Sequence, residues 1–133
     1  MNKKILIVED DRLTLYLLKR RLEKKGYEIL TARDEKEFWK HAFDQGLHLI
    51  LLDICLKNRL GTNVYKTLLE FGMNRQLPVI FTTGLTDDMN DMDSGGKDIL
   101  DKRHVFLPKP INFENLNQEI ERLTCKPLSN KVA

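Results

Sequence analysis

The chain has 133 residues, 41% of them apolar and 32% charged, a size and balance that fit one globular domain and exclude a disordered segment. Its 22 basic and 20 acidic residues leave a net charge of +2, too small to imply a nucleic-acid partner. At the N-terminus the apolar run is only Ile5 to Val8 before Glu9, Asp10 and Asp11, too short for a signal peptide, and no run approaches membrane-spanning length. Cys55 and Cys125 lack metal-site spacing and are expected to be free thiols of a cytoplasmic protein.

In chain order, Ile5-Leu6-Ile7-Val8 reads as a first strand, buried on both faces. Leu15, Leu18 and Leu22 then recur at helical spacing, with Gly26 as the stop. The segment "YEILT", residues 27–31, alternates polar and apolar and predicts an edge strand. Phe38 and Ala42 share one face of a second helix that ends before Gly46. Leu49 to Leu52 form the third strand, and Val64, Leu68 and Phe71 mark a third helix followed by Gly72. Val79-Ile80-Phe81 is the fourth strand. Residues 85–104 should hold a fourth helix, but two adjacent glycines and six aspartates predict a short or irregular one. Val105-Phe106-Leu107 is the fifth strand. Phe113, Leu116, Ile120 and Leu123 line a fifth helix, with Asn112 as its N-cap. Five strand–helix units predict an α/β fold: a doubly wound, five-stranded parallel sheet with helices on both faces. The domain is expected over residues 1–125, with 126–133 a fraying C-terminal tail.

Ligands of such sheets bind beyond the carboxyl ends of the strands. Glu9, Asp10 and Asp11 follow the first strand, Asp53 the third, Thr82, Thr83 and Gly84 the fourth, and Pro108, Lys109 and Pro110 the fifth. Two carboxylates about 4 Å apart repel by about 4 kcal/mol at an effective dielectric of 20, so three together require a cation. Oxygen donors without a Cys–His set favour Mg²⁺. Asp53 beside a metal and a lysine suits nucleophilic attack on a phosphoryl group, whose oxygens the two cations would neutralise. Taken singly, each residue has a plainer reading. An aspartate after an apolar strand is commonly a strand end or a cap, Thr82 and Thr83 are ordinary strand formers, and Phe106 reads as a core aromatic. The histidines, His41, His48 and His104, lack ligand spacing and read as surface or packing residues. Lys19, Arg20, Arg21, Lys24 and Lys25 are most simply a solvated helix face, with docking of a protein partner as the second reading.

The motifs "ILIVEDD", "LILLD", "FTTG" and "FLPKP", in order and with thirty residues from Asp53 to Thr83, closely resemble the receiver domain of two-component response regulators. The resemblance covers residues 3 to about 124. It implies the flavodoxin-like strand order 2-1-3-4-5 and a switch that accepts a phosphoryl group on Asp53. It also implies that Glu9 and Asp10 position Mg²⁺ with Asp53 and the backbone carbonyl of Cys55. Thr83 would be the switch hydroxyl, Phe106 the switch aromatic, and Lys109 the lysine that meets the phosphoryl group. Gly61 matches the glycine after the acceptor loop, and Lys109-Pro110 a bond that is often cis. The implied partners are a sensor histidine kinase or a phosphotransfer domain, and a downstream protein bound through the fourth-helix/fifth-strand/fifth-helix face. Direct contact with nucleic acid or membrane is not expected. Such a domain catalyses only its own phosphorylation and dephosphorylation, so it is not an enzyme with an external substrate.

The chain departs from the pattern at Lys57, where a proline is usual, and between Thr83 and Lys109, where the segment is about a turn longer. Two other functions stay open: a phosphorylation-independent interaction module, and an aspartyl-nucleophile phosphohydrolase of the haloacid-dehalogenase type. The second needs another acid two residues after the nucleophile, where this chain has Cys55. A free-standing regulator and a segment of a larger protein both fit, with Met1 directly before the first strand and the short tail favouring the first.

Overall fold

The structure is a computed structural model and describes residues 2–54, 66, 77–83 and 104–125. Its described elements, in chain order, are β1 (Lys4–Val8), α1 (Arg12–Lys24), β2 (Glu28–Ala32), α2 (Glu35–His41), β3 (Leu47–Asp53), β4 (Val79–Thr83), β5 (His104–Pro108) and α3 (Phe113–Thr124). The expected fourth helix, with Cys55, Lys57, Gly61, Gly84 and the tail, lies outside the described residues, and of the expected third helix only Lys66 is described, in helical conformation. The α3 segment is the fifth helix of the sequence expectation.

All five strands pair in parallel, as the strand–helix alternation predicts, and their order, β2-β1-β3-β4-β5, is the one the family resemblance implies. Successive side chains of a strand point to opposite faces, and the continuous apolar runs therefore fill two cores. Leu6, Val8, Ile50, Leu52, Val79 and Phe81 pack with Phe38 and Ala42 on one side. Ile5, Ile7, Leu49, Leu51 and Ile80 pack with Leu15, Leu18 and Leu22 of α1 and Leu116, Ile120 and Leu123 of α3 on the other. Fully burying one such aliphatic side chain contributes about 1.5–3 kcal/mol. The "YEILT" strand is an edge, as its alternation predicts, although its bounds shift by one residue to Glu28–Ala32.

Local signals set where the helices begin and end. Asp11 caps α1 by accepting the Thr14 N–H at 2.9 Å. The same helix stops at Gly26, whose φ of 98° suits a residue without Cβ. There the Tyr27 and Gly26 N–H groups donate to the carbonyls of Leu22 and Glu23, closing a Schellman turn. Asp34 caps α2 through the Glu37 N–H at 2.8 Å, and Asn112 caps α3 through the Asn115 N–H at 3.0 Å. Among the described residues no helix is long and apolar enough to cross a membrane.

Candidate functional site

Strand order reverses between β1 and β3, and the carboxyl ends of those strands bring the acids together. Glu9 directly follows β1, is 2% exposed, and is tied to the end of β2 by its N–H, which donates to the Ala32 carbonyl at 3.0 Å. Asp53 is the last residue of β3 and is 3% exposed. It remains inside the ladder, in register with Thr82, because the next amide, Ile54 N–H, still donates to the Thr82 carbonyl at 2.9 Å. Glu9, half-buried Asp10 and Asp53 each offer one carboxylate oxygen, all within 4.8 Å of one another.

Lys109 closes the site from β5. Its N–H donates to the Thr83 carbonyl at 2.7 Å, which ties its backbone to the end of β4. The ammonium Nζ then reaches Glu9 Oε1 at 2.9 Å and Asp53 Oδ2 at 3.3 Å. The Lys109-Pro110 peptide is cis. Burial pushes the Glu9 carboxyl above the ordinary carboxylate value, against the hydrogen bond from Lys109, and the Asp53 charge adds to the rise. Burial alone would lower the Lys109 ammonium. Its hydrogen bond to Glu9 and the charges of Asp53 and Glu9 outweigh that and hold it above the usual lysine value.

Asp11 is not part of the acidic trio, although it belongs to the same run of acids. Its side chain is spent on the α1 cap, accepting from Thr14 N–H and Thr14 Oγ1, and these bonds hold its carboxyl below the ordinary range. Its own N–H donates to Glu9 Oε2 at 3.1 Å, so the cap also fixes the Glu9 carboxylate. Thr82 and Thr83 are both buried in β4. Phe106 stacks on Phe81 with ring centroids 5.2 Å apart and 27° between planes, and this places it against the core that holds Phe38 and Phe81.

A cavity of about 450 Å³ beside Lys109 is lined by Thr14, Leu17, Leu18, Lys109, Pro110, Ile111 and Phe113. Leu13, Tyr16 and Leu17, on the outer side of α1, are 65%, 53% and 46% exposed. The signal in the sequence is that these three stand off the Leu15/Leu18/Leu22 stripe.

Comparison with known proteins now decides the family. The model of the response regulator receiver domain matches residues 5–121. The chain belongs to this family. Among curated relatives, the alkaline phosphatase synthesis transcriptional regulatory protein PhoP of Bacillus subtilis is 32% identical over 115 residues, 84% of this chain and 46% of its own length. The nisin biosynthesis regulatory protein NisR of Lactococcus lactis is 32% identical over 135 residues, 98% of this chain and 54% of its own. This receiver domain thus spans about half the length of the curated relatives it matches. Among solved structures, a two-component response regulator from Clostridium difficile is 26% identical with a TM-score of 0.79, covering 94% of this chain and 98% of that one. The response regulator TrrA from Thermotoga maritima, solved in complex with Mg(2+)-BeF, is 27% identical with a TM-score of 0.74, covering 91% and 98%. Receiver domains are signalling switches and not enzymes acting on external substrates.

Proposed function

We propose that this receiver domain is switched by transfer of a phosphoryl group to Asp53 from a histidine kinase or a phosphotransfer domain. The observation that supports it best is the pairing of Asp53 with Lys109 Nζ at 3.3 Å, beside two further carboxylates. Asp53 is the nucleophile. One carboxylate oxygen attacks phosphorus while the bond to the donor nitrogen breaks, giving an acyl phosphate. Lys109 neutralises the transferring oxygens, and the Thr83 hydroxyl donates to the phosphoryl group once it is in place. Phe106, stacked on Phe81, is the aromatic whose position follows Thr83.

The donor set fits a hard divalent cation. Glu9, Asp10 and Asp53 offer only oxygens within 4.8 Å of one another, and such a charge cluster balances against Mg²⁺ better than against a softer metal. Those three residues, with the Cys55 carbonyl, would hold it. When bound, Mg²⁺ would offset the negative charge of the phosphoryl oxygens. We place the domain in the cytoplasm and its downstream protein target on the face formed with β5 and α3. The TrrA complex with Mg(2+)-BeF supports the metal reading by analogy. Relatives named as transcriptional regulatory proteins bear on the expectation of no nucleic-acid contact, which concerns this domain alone.

The test is incubation with Mg²⁺ and a small acyl-phosphate donor, followed by intact mass. One phosphoryl gained by the wild-type chain with metal, and none by Asp53→Asn, is the expected result. Equal labelling of Asp53→Asn overturns the assignment.

A further inference from the structure

Lys3 and Cys125 meet at the end of β1 opposite the acidic trio. Lys3 directly precedes β1, and Cys125 is the C-cap of α3. The Lys3 ammonium nonetheless donates to Cys125 Sγ at 2.9 Å and to Thr124 Oγ1 at 3.0 Å. Thr124 is itself fixed, because its hydroxyl donates to the Ile120 carbonyl at 2.7 Å. Among the described residues no carboxylate stands within ion-pair distance of Lys3 Nζ. The nitrogen therefore faces a hydroxyl and a thiol, and that thiol is unbridged and exposed. Beside them, burial and then the charges of Glu121 and Cys125 push the Tyr27 phenol above its ordinary value, so the phenol is a neutral neighbour. A thiolate attacks peroxides to give a sulfenic acid, which then condenses with a second thiol or with a nitrogen. Lys3 Nζ is a nitrogen already held at the sulfur.

We propose that Lys3 and Cys125 form a peroxide-responsive clasp, in which oxidation joins Nζ to Sγ as a sulfenamide and ties the start of β1 to the end of α3. In the first step Sγ, as the thiolate, attacks hydrogen peroxide. The S–O bond forms, the O–O bond breaks, and the Lys3 ammonium gives the leaving hydroxide the proton that makes it water. That transfer leaves a neutral amine beside the sulfenic acid. In the second step the amine attacks sulfur. The S–N bond forms, the S–O bond breaks, and the hydroxyl leaves with one amine proton as a second water. Sulfur loses two electrons and the peroxide gains them, so the chain ends two hydrogens lighter. A small thiol in excess reverses the bond: its attack on sulfur returns the amine, and a second thiol frees Cys125 as the small disulfide leaves. The clasp joins residues 122 positions apart, and a cross-link closing so long a loop restricts the unfolded chain and favours the folded domain. It is independent of the phosphoacceptor reading of Asp53.

The experiment uses the full chain with Cys55→Ser, which removes the other thiol of the sequence. The protein is treated with hydrogen peroxide and followed by intact mass, peptide mapping and urea unfolding. The expected product is lighter by about 2 Da, yields one linked peptide pair carrying Lys3 and Cys125, and returns to the starting mass with dithiothreitol. Its unfolding midpoint should lie above that of the reduced chain. Lys3→Arg keeps the positive charge without the primary amine, and it should gain oxygen on Cys125 and give no linked pair. Oxygen added to Cys125 with no linked pair in the chain that retains Lys3 overturns the clasp. A linked product that persists in Lys3→Arg overturns it too, because the sulfur would have found another nitrogen. A linked pair that retains one oxygen overturns the direct S–N bond.

Discussion

Asp44 accepts the Gly46 N–H at 2.7 Å and the Lys4 ammonium at 3.1 Å, at the opposite end of β3 from the acidic trio. A Cβ on Gly46 would lie 3.2 Å from Asp44 Oδ1 and 3.3 Å from Lys4 Nζ, so glycine here permits the turn to close over the ion pair. The hydrogen bond from the Gly46 amide, then the Lys4 ammonium, holds the Asp44 carboxyl below its ordinary value. A folded-state pKa below the unfolded one gives stability that is full above the unfolded value of about 3.9 and is lost as pH falls through the folded value. The stability gap between wild type and Asp44→Ala should therefore narrow between pH 6 and pH 3, measured by urea unfolding at each pH. A gap that stays constant across that range would contradict the assigned cause.

Among the elements, α3 shows how local chemistry and packing combine. Asn112 supplies the cap, and Leu116, Ile120 and Leu123 supply the buried face. Asn112→Ala should cost about 1 kcal/mol and Ile120→Ala about 2–5 kcal/mol, read as shifts of the unfolding midpoint at unchanged slope. A cost at Ile120 below that at Asn112 would mean that the helix is held by its end and not by its face. These same residues explain why the fold was legible in the sequence. Runs such as Ile5 to Val8 feed two cores at once, and helical spacing with caps marks α1 and α3 without tertiary information. Boundaries were less legible, because backbone pairing ignores side-chain polarity. Asp53 stays in the ladder through the Ile54 N–H bond to Thr82, one residue past the apolar run. Tyr27 is lost from β2 because its amide completes the α1 stop. Glu9 and Lys109 were both expected at this sheet edge, but their direct contact was not legible. β3 and β4 lie between their strands, so the pair depends on sheet geometry and the length of a lysine side chain.

At the scale of the whole molecule, α1 combines basic charge with apolar exposure and carries three of the four large hydrophobics exposed among the described residues. From Arg12 to Lys25 there are six basic residues against one acid, Glu23, in a chain of net charge +2. The same helix exposes Leu13, Tyr16 and Leu17 beside the cavity that Lys109, Pro110 and Ile111 help to line. A protein that delivers a phosphoryl group to Asp53 must come within bonding distance of the Lys109 edge, and this surface adjoins that edge. A small acyl phosphate needs no such surface. Leu13→Glu places a charge on the apolar part without touching the acids or Lys109, and at 65% exposure it should change stability by no more than about 0.5 kcal/mol. Transfer from a phosphorylated kinase or phosphotransfer domain should slow about tenfold in this variant, the scale of one interface contact worth about 1.4 kcal/mol. Uptake from the small donor should stay within about twofold. Measuring both rates on one preparation separates the possibilities: a matched loss of both points to damage at the site, and undiminished transfer from the protein donor places its docking elsewhere on the domain.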